Sequence, residues 1–177
     1  MALFTERGYA EVTVAEIADR AGLTKRSFFN HFTDKREVLF ADAQSFEAGI
    51  IAHLAKAGDD LSAIDAAIFA LTRAGLDLAQ YRDYAHARRE LIASSPELQE
   101  RNLIKMASLT AAIAAALCAR HVPGRTAAFA AEAAIAVFTA AYDDWADDTT
   151  ADFAALMQRA LSNLRHAICR ADTTPLA

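Results

Sequence analysis

The stretch that decides the fold is "TVAEIADRAGLTKRSFFNHF", residues 13–32, where two short helices are expected on either side of a glycine. Thr13 and Glu16 have the spacing of a capping box, in which the threonine hydroxyl accepts from the glutamate's amide while the glutamate reaches back. Gly22 ends the first helix because glycine adopts positive φ without a Cβ penalty. Thr24 is placed to cap the second helix. The pattern predicts a helix-turn-helix.

The side chains around the second helix divide into an inward and an outward group. Leu23, together with Phe28 or Phe29, is expected to fill the interface between the two helices. The residues that would then project outward are Thr24, Lys25, Arg26, Ser27 and Asn30. The major groove of DNA admits an α-helix, and such side chains can bond to base edges there. On spacing alone, DNA binding and a helical hairpin with a solvated basic face both remain open.

Basic residues are concentrated in this part of an otherwise acidic chain. Between Arg20 and Arg36 there are five Lys or Arg and one acid, a balance of +4, in a protein of 177 residues with net charge −5. A local reversal of sign indicates an anionic partner. Lys35 and Arg36 also lie at the expected start of the next helix, where the helix dipole favours a phosphate.

The composition of the remaining chain predicts an all-α fold. Alanine makes up much of the 54% hydrophobic content, and only three prolines and six glycines interrupt the sequence. Alanine is the strongest helix former because it loses the least side-chain entropy. One long helix is expected from Asp34 to about Ala57. Further helices are expected at about 61–80, 81–95, 96–120, 126–145 and 151–170.

Cysteine usage and the apolar runs favour a cytoplasmic protein without a membrane partner. Cys118 and Cys169 are far apart and have no CxxC partner, so a disulfide framework or zinc site is not expected. The charged residues Glu6 and Arg7 near the start argue against a secretory leader. The most apolar run, Met106 to Ala119, is shorter than the ~20 residues of a membrane span.

A set of residues between Leu3 and Leu39 recurs in a known pattern. Its members are Phe4, Gly8-Tyr9, Thr13-Val14, Ile17-Ala18, Ala21-Gly22, Phe29, His31-Phe32, Lys35 and Leu39. With these residues the stretch resembles the N-terminal domain of the TetR family of transcriptional regulators. The resemblance implies a three-helix DNA-binding domain at 1–41, with a truncated first helix. It also implies a helical ligand-binding and dimerisation domain at 42–177.

The resemblance further implies a homodimer with two recognition helices in successive major grooves of operator DNA. The residues then expected near DNA are Thr13, Thr24, Lys25, Arg26, Ser27, Phe29, Asn30, His31 and Lys35. Family members commonly have tyrosine where this chain has Phe29, so a phosphate-contacting hydroxyl is missing there. The implied function is a repressor that a small apolar or amphipathic effector releases from DNA. The alternative is an all-α interaction module with a vestigial helix-turn-helix and no operator binding.

The C-terminal region faintly resembles the ligand domain of mycofactocin-system regulators. The similarity lies in Arg88–Ile92 followed by Pro96–Leu98, in the alanine-rich helix, and in "AYDDW" at 141–145. It supports a ligand domain without identifying the ligand. Phe138, Tyr142 and Trp145 lie at helical spacing and would form an apolar pocket wall with two polar handles. Core or dimer packing is the alternative interpretation.

Other candidate ligand residues precede this helix. His86 and Arg89 could hold an acidic ligand group, and a surface salt-bridge cluster is the alternative. Met106 and Thr110 are candidates on the helix that follows, where core packing is the alternative. The family resemblance implies that the helices at about 126–145 and 151–170 form the dimer's four-helix bundle.

The sequence gives no support for an enzyme, a cofactor or a metal site. It has no Ser/His/Asp or Cys/His set and no glycine-rich phosphate loop. The acidic run between Asp143 and Asp152 lacks the glycine turn and bidentate glutamate of a calcium loop. A solvated helix end is the preferred interpretation of that run.

Overall fold

A computed structural model describes residues 1–148 and 150–169. Within these residues there are nine α-helices and no strand: α1 Ala2–Arg7, α2 Val14–Arg20, α3 Lys25–His31, α4 Ala43–Leu54, α5 Ala63–Asp77, α6 Arg82–Ala93, α7 Pro96–Ala119, α8 Gly124–Asp147 and α9 Phe153–Ile168. Two 3₁₀ helices, Lys35–Phe40 and Leu78–Tyr81, precede α4 and α6. The all-α fold with an N-terminal helix-turn-helix is confirmed. Arg170, the expected last residue of the final helix, lies outside the described residues.

The helix-turn-helix forms through the local signals found in the sequence. Thr13 Oγ1 accepts from the Glu16 amide at 3.3 Å, and the Glu16 carboxylate accepts from the Thr13 amide at 2.8 Å. Gly22 has a φ of 67°, as the turn requires. Thr24 Oγ1 accepts from the Ser27 amide at 3.1 Å and caps α3. The capping box, the glycine turn and the second cap are confirmed.

The expected long helix from Asp34 to Ala57 is wrong. A 3₁₀ helix covers Lys35–Phe40, and α4 begins only at Ala43. The break lies between two packing regions, because Leu39 and Phe40 are buried in an N-terminal core while α4 contributes to the C-terminal core. Tertiary packing on the two sides overrides the local preference for a continuous helix.

The N-terminal core is shared with the C-terminal half of the chain. Its buried members are Phe4, Tyr9, Val12, Leu39, Phe40, Leu91 and Leu98. Leu91 belongs to α6 and Leu98 to α7. Residues 1–40 are therefore seated on α6 and α7 by buried apolar side chains.

The C-terminal core is built around α8, which packs against α5, α7 and α9. Alanines such as Ala127, Ala131 and Ala134 are fully buried on α8 and allow close helix approach. Gly75 in α5 serves the same purpose, because an added Cβ would lie 2.1 Å from Phe153 Cε1. The gap that glycine leaves on α5 is thus filled by an aromatic ring of α9.

Candidate functional site

The outward face of α3 carries most of the side chains predicted to contact DNA. They are Thr24, Lys25, Arg26, Asn30 and His31, which are exposed, and Ser27, which is half-buried. Within the part of the chain that the structure describes, the side chains of Lys25, Arg26 and Asn30 make no hydrogen bond or ion pair. Their donors and acceptors are available to an external partner.

The two candidate phenylalanines of α3 take different positions. Phe28 is 3% exposed and Ala18 of α2 is 2% exposed, so these two fill the helix crossing. Phe29 is 54% exposed, because successive helical residues turn by about 100° and cannot both face α2. Leu23 is 48% exposed, so the expectation that it fills the interface is wrong. Phe29 lies instead beside the polar residues that were predicted to meet DNA.

Besides Thr24 and Ser27, whose hydroxyls lie 3.0 Å apart, two more of the predicted DNA contacts are already engaged within the chain. Thr13 is exposed, but its hydroxyl serves the cap of α2. Lys35 Nζ donates to the carbonyl oxygens of Tyr9 at 2.8 Å, Ala10 at 3.3 Å and Val12 at 3.1 Å. The same ammonium lies 4.2 Å from the centre of the Tyr9 ring. Lys35 therefore holds the loop between α1 and α2, and its phosphate contact stays a prediction.

Tyr9 links this loop to α7. Its hydroxyl donates to Glu97 Oε2 at 3.3 Å. Burial, followed by the nearby Glu97 carboxylate, raises the pKa of Tyr9 to about 12. Tyr9 therefore stays neutral and able to donate over the whole physiological range.

A second link joins α7 to the 3₁₀ helix Lys35–Phe40. Glu37 Oε2 accepts from Lys105 Nζ at 3.3 Å, and Glu37 Oε1 accepts from Arg101 Nε. The hydrogen bond from Arg101 is the main cause that holds the pKa of Glu37 below its usual value. Glu97, Arg101 and Lys105 recur every four residues and so share one side of α7, here termed the charged face of α7.

A cavity of about 970 Å³ lies among α4, α6, α7 and α8. The larger apolar side chains of its wall include Phe40, Phe46, Leu78, Ile92, Met106, Leu109, Ile135, Phe138, Tyr142 and Trp145. The rings of Phe138 and Tyr142 stack with centres 6.1 Å apart, and Trp145 lies 5.9 Å from Tyr142. This volume and this wall suit a small apolar or amphipathic molecule.

The predicted ligand residues are only partly brought together. Arg89, Met106, Phe138, Tyr142 and Trp145 line the cavity. His86 and Thr110 lie outside its wall, which corrects their grouping with the others. The His86 ring is exposed, with Nδ1 3.9 Å from Asp147, because its side of α6 faces solvent. Thr110 is buried, and its hydroxyl donates to the Met106 carbonyl at 2.9 Å, as in ordinary core packing.

Arg89 shows the salt-bridge arrangement that was the alternative to ligand binding. Its guanidinium donates to the Asp143 carbonyl at 2.8 Å and to the Asp147 carboxylate. That hydrogen bond from Arg89 lowers the pKa of Asp147. Burial raises the pKa of Asp143, which lines the cavity. Arg89 is thus a cavity residue whose charge is already partly neutralised.

Sequence reasoning missed several polar residues of the wall, notably Arg88 and Lys105. The Arg88 guanidinium lies 5.4 Å from the centre of the Phe40 ring. The fourfold spacing of Glu97, Arg101 and Lys105 was visible in the sequence and could have marked a charged face on α7. The cavity as a whole had no such signal, because its lining residues are spread from Met1 to Trp145 and meet only after folding.

The acidic run at the end of α8 serves local contacts. Asp144 accepts from Arg159 at 2.8 Å, and Asp148 accepts from the Thr150 hydroxyl at 2.6 Å. Asp152 caps α9 through the Ala154 amide at 3.0 Å. Among residues 1–148 and 150–169, no group of His, Cys, Asp or Glu is arranged to hold a metal ion.

Helix α7 is long and apolar enough to cross a membrane by length and composition alone. Its 24 residues agree with the helix expected at about 96–120, so the apolar run Met106–Ala119 is only part of a longer helix. One such helix is weak support for a membrane span, since core helices of soluble proteins pass the same test. In α7 the charged face packs against the N-terminal segment through Glu37 and Tyr9.

Two family models match the chain, one in its N-terminal part and one in its C-terminal part. Residues 1–41 match the family model described as bacterial regulatory proteins, tetR family. Residues 59–168 match the model described as MftR C-terminal domain. No curated protein matches the chain. The first match contains the helix-turn-helix, and the second contains α5 to α9 with most of the cavity wall.

Proposed function

Because the chain belongs to the TetR family of bacterial regulatory proteins, we propose that it is a ligand-responsive repressor that binds operator DNA as a homodimer. The family itself makes it a DNA-binding transcriptional regulator with a C-terminal ligand-binding domain. The observation that carries the proposal is the outward face of α3, where Lys25, Arg26 and Asn30 are exposed and unpaired within the described residues. No enzyme activity is part of it.

In this proposal the DNA-binding domain comprises residues 1–41 and the ligand-binding and dimerisation domain residues 42–177. Side chains at the N-terminal part of a recognition helix commonly read base edges, while flanking residues bind phosphate. Arg26 and Asn30 are assigned to bases, because guanidinium and carboxamide groups can bond guanine and adenine in pairs. Lys25 and His31 are assigned to the surrounding backbone.

The dimer is proposed to form through α8 and α9. Phe129 on α8 is 71% exposed and Ile168 on α9 is 70% exposed, so both side chains are accessible to a partner helix. Exposed small residues on α8, such as Ala136 and Ala140, would let the partner's helix approach closely. A twofold axis through this bundle would present two α3 helices to half-sites about 34 Å apart.

The effector is proposed to be a small apolar or amphipathic molecule held in the cavity. Support comes from the stacked aromatic wall and from the volume of about 970 Å³. Such an effector can release DNA only if it binds more tightly to the form that cannot bind DNA. The proposed place of action is the cytoplasm, where the regulated DNA lies.

The test is an equilibrium titration of labelled intergenic DNA from upstream of the gene, at several salt concentrations. A specific operator complex should weaken steeply as salt rises, because lysine and arginine release counterions from phosphate. Arg26→Ala and Asn30→Ala should each relax preference at particular base pairs, at about 1–3 kcal/mol per contact.

The matched control is Arg73→Ala, which removes one exposed positive charge from α5. It should leave operator preference unchanged. Absence of salt-dependent DNA binding would instead support an all-α interaction module with a vestigial helix-turn-helix. A uniform loss over all operator variants would contradict the base-reading assignment of Arg26 and Asn30.

A further inference from the structure

The DNA-facing segment, residues 1–40, meets the cavity through Val38–Phe40, which line it, and through a polar side chain of α7, that of Lys105. Its ammonium lies 3.3 Å from Glu37 Oε2 on the 3₁₀ helix that follows α3. The same residue forms part of the cavity wall. Its other companion at Glu37, Arg101, does not line the cavity, and neither does Glu37. Lys105 is therefore the member of this cluster that can contact both Glu37 and a molecule in the cavity.

The three charged side chains of this cluster are partly shielded from solvent, so their ion pairs can contribute to stability. The side chain of Glu37 is 18% exposed, that of Lys105 22% and that of Arg101 29%. Charged hydrogen bonds in such partly desolvated places are stronger than pairs on the open surface. Glu37 would keep one cation, Arg101, if Lys105 turned away. The Glu37 carboxylate would then accept hydrogen bonds from one cation in place of two.

Glu37 is also well placed to affect α3. It lies only a few residues after His31, the end of α3, and next to Arg36, whose guanidinium is held by Asp34. On the other side it precedes the buried Leu39 and Phe40, which seat the segment on α6 and α7. A change in how Glu37 is held therefore acts at the base of the recognition helix.

We propose that Lys105 is a shared cation, which Glu37 and a hydrogen-bond-accepting or anionic group of the cavity occupant compete to bind. Without an occupant, Lys105 and Arg101 together hold Glu37 and fix the DNA-facing segment on α7. An occupant that engages Lys105 leaves Glu37 with Arg101 alone and loosens that seat. The inference rests on the proposed function, because it takes the cavity as the effector site.

Thermodynamic linkage makes the competition measurable without DNA or the natural effector. If Glu37 and an anionic occupant compete for Lys105, then removing the Glu37 charge must strengthen binding of that occupant. An uncharged occupant of similar shape should be insensitive to the change. A general loss of structure would weaken binding of both occupants, whereas the competition strengthens binding of the anionic occupant.

The experiment uses two fluorescent probes, anionic 8-anilinonaphthalene-1-sulfonate and uncharged N-phenyl-1-naphthylamine. Energy transfer from Trp145, the single tryptophan of the chain and a cavity residue, reports whether each probe is in the cavity. Glu37→Gln should raise sulfonate affinity at least about fivefold and change the uncharged probe less than about twofold. Lys105→Gln should lower sulfonate affinity and abolish the gain from Glu37→Gln in the double variant.

Arg101→Gln is the matched control, because it weakens the hold on Glu37 without altering the cavity wall. It should not raise sulfonate affinity, since Glu37 then depends more on Lys105. If Glu37→Gln fails to fold by circular dichroism, Glu37→Asp, with a shorter reach, should change affinity in the same direction. Equal gains for both probes, or for Arg101→Gln, would overturn the shared-cation inference alone. Absence of energy transfer from Trp145 to either probe would overturn the effector cavity as well.

Discussion

The N-terminal segment and the C-terminal bundle use burial in different ways. Among the described residues, seven buried side chains form the N-terminal core, and two of these come from α6 and α7. The C-terminal core has twenty-seven, with many alanines that bring helices close together. The N-terminal core contains few residues and leaves the polar face of α3 exposed. The C-terminal bundle encloses a cavity within a much larger core.

This difference indicates where each function can reside. A two-turn helix such as α3 is too short to be stable alone, so it depends on capping and on contact with its neighbours. Its outward side chains are then free to bind DNA. The bundle is stable enough to tolerate a cavity, because its other contacts support the wall. Four substitutions test this difference, and they follow in order of decreasing expected effect on stability.

Leu71→Ala should cause the largest loss, at about 4 kcal/mol of unfolding free energy, because it empties space in a fully buried part of the bundle. Urea denaturation followed by circular dichroism measures the loss. Leu103→Ala is the matched control, since Leu103 is 69% exposed, and should cost little. Similar losses for the two variants would contradict the assignment of the stabilising core.

Phe28→Ala should cost about 3 kcal/mol, but mainly within α2 and α3. The packing between α2 and α3 can open locally, so faster hydrogen exchange should be confined to these helices while the bundle stays protected. Phe29→Ala, on the exposed neighbour, should leave exchange nearly unchanged. Loss of protection throughout α5 and α8 would show that the two regions unfold as one unit.

Glu37→Gln should cost about 1.5 kcal/mol at neutral pH, because it replaces a partly buried carboxylate that bonds two cations with an uncharged amide that has one acceptor oxygen. The pKa of Glu37 is held low in the folded state, so its stabilisation exists above the unfolded pKa and disappears as pH falls below about 4. The variant should therefore lose less stability on acidification than the parent. Glu100→Gln, exposed on α7, is the control and should change neither quantity.

Lys35→Ala should have the smallest effect on stability, at about 1 kcal/mol, because it removes donors from three loop carbonyls. Titration of the Lys35→Ala variant with operator DNA distinguishes a phosphate contact of Lys35 from a purely internal role. A phosphate contact predicts a salt slope lower by about one unit, whereas a purely internal role predicts weaker binding with an unchanged slope. Lys56→Ala, which removes an exposed lysine in the turn after α4, should change neither the stability nor the salt slope.

The parts of the structure that were predictable depend on neighbours in sequence. Thr13, Glu16, Gly22 and Thr24 act within a few residues of one another, so their spacing was sufficient to predict the turn and both caps. The helix break before Ala43 was not predictable in this way, because it follows from burial of Leu39 and Phe40 against α6 and α7. Local pattern cannot report such distant contacts.

The candidate site residues were likewise predictable where they depend on a single helix, and not where they depend on distant contacts. The outward residues of α3 follow from helical geometry once Phe28 is placed inside. Phe138, Tyr142 and Trp145 follow from periodicity on one helix. Lys35 was assigned to phosphate from its position at a helix start, whereas its observed partners lie 23 to 26 residues earlier. The pairing of Glu37 with Arg101 and Lys105 joins residues 64 and 68 positions apart, so no local pattern could predict it.

The central claim is that DNA meets the outward face of α3 while the bundle stays free of DNA. Hydrogen–deuterium exchange with and without a duplex of the upstream intergenic DNA tests it most directly. New protection is expected over residues 24–31 and the start of the following 3₁₀ helix, with none attributable to DNA on the exposed side of α5. Protection confined to the bundle, or no change over 24–31 at saturating DNA, would contradict the claim.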